Sequence, residues 1–295
     1  KVNCLRKPGL LDTMFTVVLS LLIAFNTIAY ACTLELDVVK QHLRRPIGVC
    51  IGFFCQYGCM PLVAFGLSRV FSLPDSLTFG LICYGSSPGG GASNMWTILL
   101  RGDLNLSVSM TFISLSSSLA MTSLWLFTLG SLFTKDIVIP YQNIMITLAS
   151  LVATIIIGVL IKRFAPRIAI KLAKLIKPMS MVIITYILTL GTYTNLYMFM
   201  LMDSWQVVLS AMLVSYVGYV VGLSVSLLFK QPWKVTRTIM IETGIQNGGL
   251  AILVCRFSLP QPDGDLATVA PATGLLSSSM PLLVAFIVQC IYRKC

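Results

Sequence analysis

The stretch 237–256 reads RTIMIETGIQNGGLAILVCR, and the interpretation of the whole chain depends on it. The residues between its two arginines are enough for a helix that crosses a bilayer. The middle of the stretch is polar, however, with Glu242, Thr243, Gln246 and Asn247. An ionisable side chain inside a membrane costs at least about 2.5 kcal/mol, so such residues ordinarily form an ion or substrate site that faces protein or water.

Two glycines, Gly248 and Gly249, follow these polar residues directly. Glycine lowers helix propensity, here at a point where freed backbone carbonyls can act as ligands. This pattern is typical of the discontinuous helices of secondary transporters. The stretch therefore predicts a broken membrane helix that carries a binding site.

The composition places the chain in the membrane class. Its 295 residues are 57% hydrophobic and 11% charged, and the mean hydropathy is +0.89. The net charge of +11 does not indicate nucleic acid binding, because the basic residues lie in short segments between apolar runs, where they orient a membrane protein. We therefore expect a bilayer partner and no nucleic acid.

Apolar windows long enough to cross a membrane occur nine times. They run over 10–34, 46–70, 76–100, 105–133, 140–162, 178–201, 205–229, 238–255 and 267–291. The sequence thus predicts an all-α polytopic membrane protein with a transmembrane domain over 10–295, preceded by an extracellular N-terminal remnant at 1–9. Its two halves are expected at 10–134 and 139–295.

The basic residues predict the orientation of the chain. With the N-terminus outside and the C-terminus inside, fifteen of the 21 Lys and Arg residues fall on the inner side, including Arg101, Lys230, Lys234 and the six from Lys162 to Lys177. This is the distribution that the positive-inside rule favours. We expect a plasma membrane protein in this orientation.

The third window contains a second predicted break. Between Ser86 and Asn94 a proline, Pro88, is followed by three glycines, so a continuous helix is not expected there. A phosphate-binding loop is the alternative interpretation of a glycine run, but no Gly-Lys-Ser/Thr follows and the flanks are apolar.

The third and eighth windows occupy equivalent places, since each is followed by one more window before its half ends. They also cross the membrane in opposite directions. This arrangement predicts an inverted repeat of five helices, with the first half lacking its first helix, and a binding site near the midplane.

The fourth window carries a stripe of hydroxyl side chains at helical spacing, namely Ser107, Thr111, Ser114 and Ser118. Interhelical hydrogen bonds explain such a stripe equally simply, as they do the lone Gln56 in the second window. Beside a membrane carboxylate and Asn94, we interpret the stripe as part of a ligand site.

Three motifs resemble the bile acid and sodium symporters, solute carrier family 10. They are SPGGGASN at 87–94, GDLNLS at 102–107 and ETGIQN at 242–247. The resemblance covers nearly the whole chain and implies a panel domain, formed by windows one, five and six, and a core domain, formed by the other six, in which the two broken helices cross. Gly248 and Gly249 depart from the bile acid carriers, so the resemblance does not fix the substrate.

The resemblance also implies two sodium ions and their ligands. The first site matches Ser93, Asn94, Ser107, Thr111 and Glu242. The second site matches Gln56, Glu242, Thr243, Ile245 through its backbone, and Gln246. The residues expected near the substrate are Pro88, Gly89, Gly90, Asn247, Gly248 and Gly249.

These observations predict a sodium-coupled symporter of an amphipathic organic anion, such as a bile acid or a sulfated steroid, that works by alternating access. Two alternatives stay open. One is a carrier of the same fold for another solute, coupled to protons through Glu242, and the other is a receptor or scaffold that does not transport. No enzyme is expected, because no catalytic constellation can be assembled around the single membrane carboxylate.

Overall fold

A computed structural model describes residues 10–33, 46–132, 141–186, 205–260 and 263–292, together with positions 37, 40, 44 and 189. This part of the chain is helical. Its helices are α1 Leu10–Thr33, α2 Ile47–Phe54, α3 Met60–Val70, α4 Asp75–Gly85, α5 Ala92–Leu99, α6 Leu104–Thr128, α7 Tyr141–Phe164, α8 Pro166–Tyr186, α9 Trp205–Leu228, α10 Trp233–Gly244, α11 Gly248–Ser258, α12 Asp263–Ser277 and α13 Met280–Ile291. A π-helical turn, Cys55–Cys59, joins α2 to α3.

Within the described residues, four helical stretches are long and apolar enough to cross a membrane by length and composition. They are Ile47–Val70, Leu104–Thr128, Trp205–Leu228 and Asp263–Ile291. Two shorter apolar helices, Val17–Thr33 and Gly248–Ser258, accompany them. The count of nine spans stays a prediction, and the remnant at 1–9 lies outside the described residues.

Both predicted breaks are present. The first separates α4 from α5 at 86–91, so Ser93 and Asn94 already belong to the second helix. The second separates α10 from α11 at 245–247. Each break therefore divides an apolar run into two short helices, as the sequence indicated.

The glycine pair does not form the second break, which corrects our expectation. Gly248 and Gly249 are the first residues of α11. The first backbone N–H groups of a helix have no hydrogen-bond partner within that helix. Gly248 instead allows a close approach to α12, since an added Cβ would lie 2.8 Å from Leu275 Cβ and 3.0 Å from the Pro271 carbonyl oxygen.

Side chains of the motif itself end one helix and begin the next. The Gln246 side chain donates from Nε2 to the Thr243 carbonyl at 2.9 Å, in the last turn of α10. The Asn247 side chain accepts a hydrogen bond from the Leu250 N–H at 3.1 Å and so caps the start of α11. The Gln-Asn pair thus determines where the break falls.

Two other windows differ in detail from the helices. The sixth was expected to begin at 178, but α8 begins at Pro166, so Lys171 and Lys174 lie on a helix. The ninth window lies within the stretch Asp263–Ile291, which is long and apolar enough to cross a membrane, but its helix is interrupted between α12 and α13. Pro281 explains the interruption, because it has no N–H and its ring clashes with the carbonyl four residues earlier.

The helices pack in two groups. Helices α1, α7 and α8 contact one another, while α4, α9, α10, α11 and α12 are linked by close mutual contacts. The first group corresponds to the windows that we assigned to the panel, and its main contacts with the rest of the described chain are with α6 and α11. The division into panel and core stays a prediction.

Helix α4 lies so close to α12 that only glycine fits at position 80, where an added Cβ would collide with the Ala267 carbonyl. At Gly66 in α3 an added Cβ would meet nothing within 4 Å. We expect Gly80→Ala to destabilise the protein by about 1–3 kcal/mol through overpacking. Gly66→Ala should be neutral or stabilise it by up to about 1 kcal/mol through helix propensity.

Thermal unfolding of both variants in the same detergent tests this packing. Equal unfolding midpoints for the two variants would contradict the close contact between α4 and α12.

Candidate ion site at the crossing of the two breaks

The two breaks pair with each other through their backbones. The Gly90 N–H donates to the Ile245 carbonyl at 2.8 Å, and the Asn247 N–H donates to the Pro88 carbonyl at 2.9 Å. Together they form an antiparallel bridge between Gly89 and Gln246. Because unpaired backbone groups are costly in an apolar medium, this bridge fixes the place where the broken helices cross.

Neighbouring helices satisfy the other backbone groups of the first break. Thr122 donates to the Ser86 carbonyl at 2.7 Å, and Gln56 donates to the Ser87 carbonyl at 2.6 Å. The Gly89 N–H donates to Ser114 Oγ at 3.3 Å. The break is therefore held from the π-helical turn and from α6 as well as from the second break.

Glu242 lies beside this crossing, in the last turns of α10, and only 3% of its surface is exposed. Ser107 donates to its Oε2 at 3.0 Å, and Thr111 donates to its Oε1 at 2.5 Å. An added Cβ on Gly89 would lie 2.5 Å from Oε1, so the first break also approaches the carboxylate closely. Within the described residues no basic side chain pairs with Glu242, because the ion pair found there joins Arg256 to Asp265.

Four buried side-chain oxygens of predicted sodium ligands make no hydrogen bond of normal geometry within the described residues. They are Gln56 Oε1, Ser93 Oγ, Asn94 Oδ1 and Thr243 Oγ1. Leaving a buried polar group unpaired costs about 1–3 kcal/mol. Four such oxygens beside one buried carboxylate fit the ligand set of a cation.

The residues predicted for the first sodium site come from three helices. Ser107 and Thr111 on α6 contact Glu242 directly. The Ser93 hydroxyl on α5 also faces the carboxylate, although it makes no hydrogen bond of normal geometry to it. Asn94 is the next residue of α5, and its side-chain oxygen is buried without a partner.

The residues predicted for the second site are linked by amide groups. Gln56 Nε2 donates to Gln246 Oε1 at 2.5 Å, and Gln246 donates in turn to the Thr243 carbonyl. The Ile245 carbonyl accepts the Gly90 N–H, which leaves one of its two lone pairs for a ligand. The structure therefore brings Gln56, Thr243, Ile245 and Gln246 together around the second break.

The π-helical turn positions Gln56. Such turns are rare and occur frequently at functional sites. The wide turn leaves the Tyr57 carbonyl to accept a hydrogen bond from Trp125 Nε1 at 2.7 Å, while Tyr57 Oη donates to the Ser114 carbonyl at 2.7 Å. Both contacts join the turn to α6, so Gln56 is held against the crossing.

The residues predicted near the substrate lie in different surroundings. Pro88, Gly89 and Gly90 are buried in the first break. Asn247 caps α11 with its side chain. An added Cβ on Gly249 would lie 3.1 Å from Ile23 of α1. Their role in binding a substrate stays a prediction.

Sequence reasoning missed Ser87 and Thr122 and left Ser114 outside the predicted ligand sets. Ser87 holds Gln56 through its carbonyl, and Thr122 holds the Ser86 carbonyl. Thr122 continues the hydroxyl stripe by one more turn beyond Ser118, and this spacing was a signal that the sequence contained.

A cleft between α2 and α6 reaches the site. Its lining includes Gly52, Met110, Gln56, Ser114 and Glu242. The last three are the polar part of an otherwise apolar wall. The cleft has a volume of about 10 Å³, which is room for about one water molecule beside the carboxylate.

The model of the sodium bile acid symporter family matches residues 20–204. The chain belongs to this family. The family and the curated relatives are transporters rather than enzymes, and the apolar helices fit an integral membrane protein.

Curated relatives of the same family are similar over most of the chain. The P3 protein of Mus musculus is 34% identical over 92% of this chain and 58% of its own length. The sodium-dependent organic anion transporter of Bos taurus is 32% identical over 86% and 67%. The ileal sodium/bile acid cotransporter of Cricetulus griseus is 30% identical over 97% and 82%. The chain thus spans little more than half the length of the P3 protein.

The contact between Thr111 and Glu242 gives a direct test of the site. Thr111→Val keeps the shape of the side chain but removes a hydrogen bond to a charged group, which is expected to cost about 1.5–3 kcal/mol of stability. Ser116 lies on the same helix, exposed and away from Glu242, so Ser116→Ala is the matched control and should change stability by less than about 0.5 kcal/mol. Denaturation in sodium-free buffer measures the stability of both variants. Equal losses of stability would show that the hydroxyl stripe serves ordinary helix packing.

Proposed function

We propose that the chain is a sodium-coupled secondary symporter of an amphipathic organic anion that works by alternating access. The observation that carries this proposal is the set of buried, unpaired oxygens around Glu242. They lie where two broken helices cross, which is the usual place of ion sites in secondary transporters. The names of two relatives, one sodium-dependent and one a sodium/bile acid cotransporter, support the same direction.

The donor set favours sodium over other metal ions. Hard cations prefer several oxygen ligands, and the site offers carboxylate, amide, hydroxyl and carbonyl oxygens. Within the described residues there is no cluster of three His, Cys, Asp or Glu side chains that would hold a metal ion of higher charge. A single carboxylate with neutral oxygens suits a monovalent cation.

Two sodium ions would share Glu242 as their common ligand. The first would be held by Ser93, Asn94, Ser107 and Thr111, and the second by Gln56, Thr243, Gln246 and the Ile245 carbonyl. Two monovalent cations and one carboxylate leave a net charge of +1, which is expensive inside a membrane. An anionic substrate group would neutralise it, so sodium and substrate should each raise the affinity for the other.

The breaks also place two helix N-termini where an anionic substrate group could bind. Helices α5 and α11 both begin at the crossing, and helix N-termini carry partial positive charge. Gly91 and Asn247, at these two starts, are only partly buried. A bile acid or sulfated steroid would satisfy this charge requirement. The carrier would lie in the plasma membrane with its N-terminus on the extracellular side and its C-terminus on the cytoplasmic side.

Glu242→Gln tests the location of coupling. A buried carboxylate held by two hydroxyls lacks full compensation, so the neutral isostere should be at least as stable as the wild type in sodium-free buffer. Sodium at a hundredfold excess over its Kd should stabilise the folded wild type by about 2.7 kcal/mol and so raise its unfolding midpoint. It should leave the midpoint of the variant unchanged.

Unfolding and uptake measurements together separate the alternatives. A proton-coupled carrier would keep its uptake when choline replaces sodium at fixed pH. A receptor or scaffold would show no stabilisation by sodium in the wild type. If the Glu242→Gln variant still accumulates substrate in response to a sodium gradient, the residue that couples sodium to substrate lies elsewhere.

Voltage provides an independent check of two-ion stoichiometry. Two sodium ions entering with one monovalent anion move one positive charge inward, which a negative interior drives by about 2.3 kcal/mol per 100 mV. We expect sodium-driven uptake in proteoliposomes to rise with an imposed inside-negative potential and to generate inward current. Uptake that is indifferent to voltage would indicate one sodium ion per anion.

A further inference from the structure

A strongly basic segment lies at the junction of α7 and α8, far from Glu242 in sequence. Its members are Lys162, Arg163, Arg167, Lys171, Lys174 and Lys177. From 137 to 202 the sequence contains neither Asp nor Glu, so nothing nearby along the chain compensates this charge. The segment accounts for more than half of the net charge of +11.

Part of this segment forms a stripe of basic residues on one face of α8. Because α8 begins at Pro166, Arg167, Lys171 and Lys174 follow one another at i, i+4 and i+7 on one helical face. All three are exposed, and within the described residues none takes part in an ion pair. Ala169, about half a turn away from the stripe, is 4% exposed, and α8 packs against α1.

Large apolar side chains are exposed on both sides of the stripe. Ile168 is 54% exposed and Leu175 44% on one side, and Ile170 is 59% exposed on the other. Water would disfavour such exposure, whereas the boundary between headgroups and acyl chains accommodates basic and apolar side chains together.

Two of the other basic residues of the segment, Lys162 and Arg163, have local partners. Lys162 Nζ donates to the Thr33 carbonyl at 3.3 Å, near the end of α1. The Arg163 guanidinium lies 5.7 Å from the ring centre of Phe164. The stripe of Arg167, Lys171 and Lys174 is therefore the part of the segment that remains available to a ligand.

The length of the stripe limits how α8 lies in the membrane. Seven residues of helix rise about 10.5 Å, whereas the headgroup layer on one side of a bilayer is about 5–7 Å thick. An upright helix could therefore not hold the backbones of Arg167 and Lys174 within the headgroup layer together. A tilt of the first turns of α8, or extension of the side chains along the helix, would bring all three charges to the level of the lipid phosphates.

We propose that Arg167, Lys171 and Lys174 form a binding site for the headgroups of anionic phospholipids, with the flanking isoleucines and leucine against the acyl chains. Charge complementarity selects an anionic headgroup, and the exposed apolar side chains select a lipid rather than soluble phosphate. The predicted topology puts the stripe on the inner side, where anionic lipids produce the negative surface potential of the membrane.

The test uses the full chain in nanodiscs of phosphatidylcholine with and without phosphatidylserine. The variant is Arg167→Gln/Lys171→Gln/Lys174→Gln. The matched control is Arg101→Gln/Lys230→Gln/Lys234→Gln, which removes the same charge from exposed residues predicted on the same side. Native mass spectrometry counts the phosphatidylserine molecules retained after extraction, and thermal unfolding measures the stabilisation that they give.

We expect the wild type and the control to retain phosphatidylserine over phosphatidylcholine and to unfold at a higher temperature in its presence. The stripe variant should lose up to about 100-fold in its association constant for phosphatidylserine. Inorganic phosphate should not displace the lipid. Equal losses in the stripe variant and the control, or equal retention of both lipids by the wild type, would overturn the proposal, and displacement by phosphate would show an anion site that does not require a lipid.

Folding is checked in the same samples. The stripe variant should unfold at the wild-type temperature in phosphatidylcholine alone. If it does not, Lys171→Gln and Lys174→Gln are measured singly, and each should give a partial loss of retention. Lys171→Arg/Lys174→Arg should restore wild-type retention, and failure of this charge-conserving variant to bind would contradict a headgroup site.

Discussion

The structure depends on how two interrupted helices satisfy their backbones away from water. A break exposes N–H and C=O groups that a membrane interior cannot hydrate, so each group needs a partner from the protein. Gly90 and Asn247 provide this by donating to Ile245 and Pro88 across the crossing. Hydrogen bonds from α6 and from the π-helical turn complete the set. The breaks are therefore a rigid part of the molecule, although they are not helical.

This rigidity explains why a charge and unpaired oxygens can persist beside the crossing. Glu242 is held by Ser107 and Thr111, and Gln56 is held by Ser87 and Gln246. Side chains held in this way cannot rotate to reach other hydrogen-bond partners, so their remaining lone pairs stay available to a ligand. Under the proposed function, sodium binding releases this cost, and because both ions share Glu242, neither site can fill without affecting the other.

The sequence predicted the two breaks because proline, glycine and membrane-embedded polar residues have strong local effects. It misplaced the second break, since the capping by Gln246 and Asn247 depends on side-chain hydrogen bonds that composition does not reveal. It missed the π-helical turn around Gln56, whose partners Trp125 and Ser87 are distant along the chain. It also began the sixth window too late, because the lysines that we read as a loop continue an amphipathic helix. Local rules identified the elements, and tertiary contacts set their limits.

The contacts of α1 suggest which parts can move. Helix α1 reaches the first break and the start of α11, with Tyr30 Oη donating to the Gly91 carbonyl at 3.1 Å and Ile23 lying against Gly249. These are a side-chain bond and an apolar contact, whereas the breaks are tied to each other by backbone bonds. In an apolar medium an amide hydrogen bond is worth about 4–6 kcal/mol, so separating the breaks is far more costly than sliding an apolar surface. Under the proposed function, a transport cycle would therefore move the group of α1, α7 and α8 against an intact crossing, and the proposed ion ligands would move as one unit.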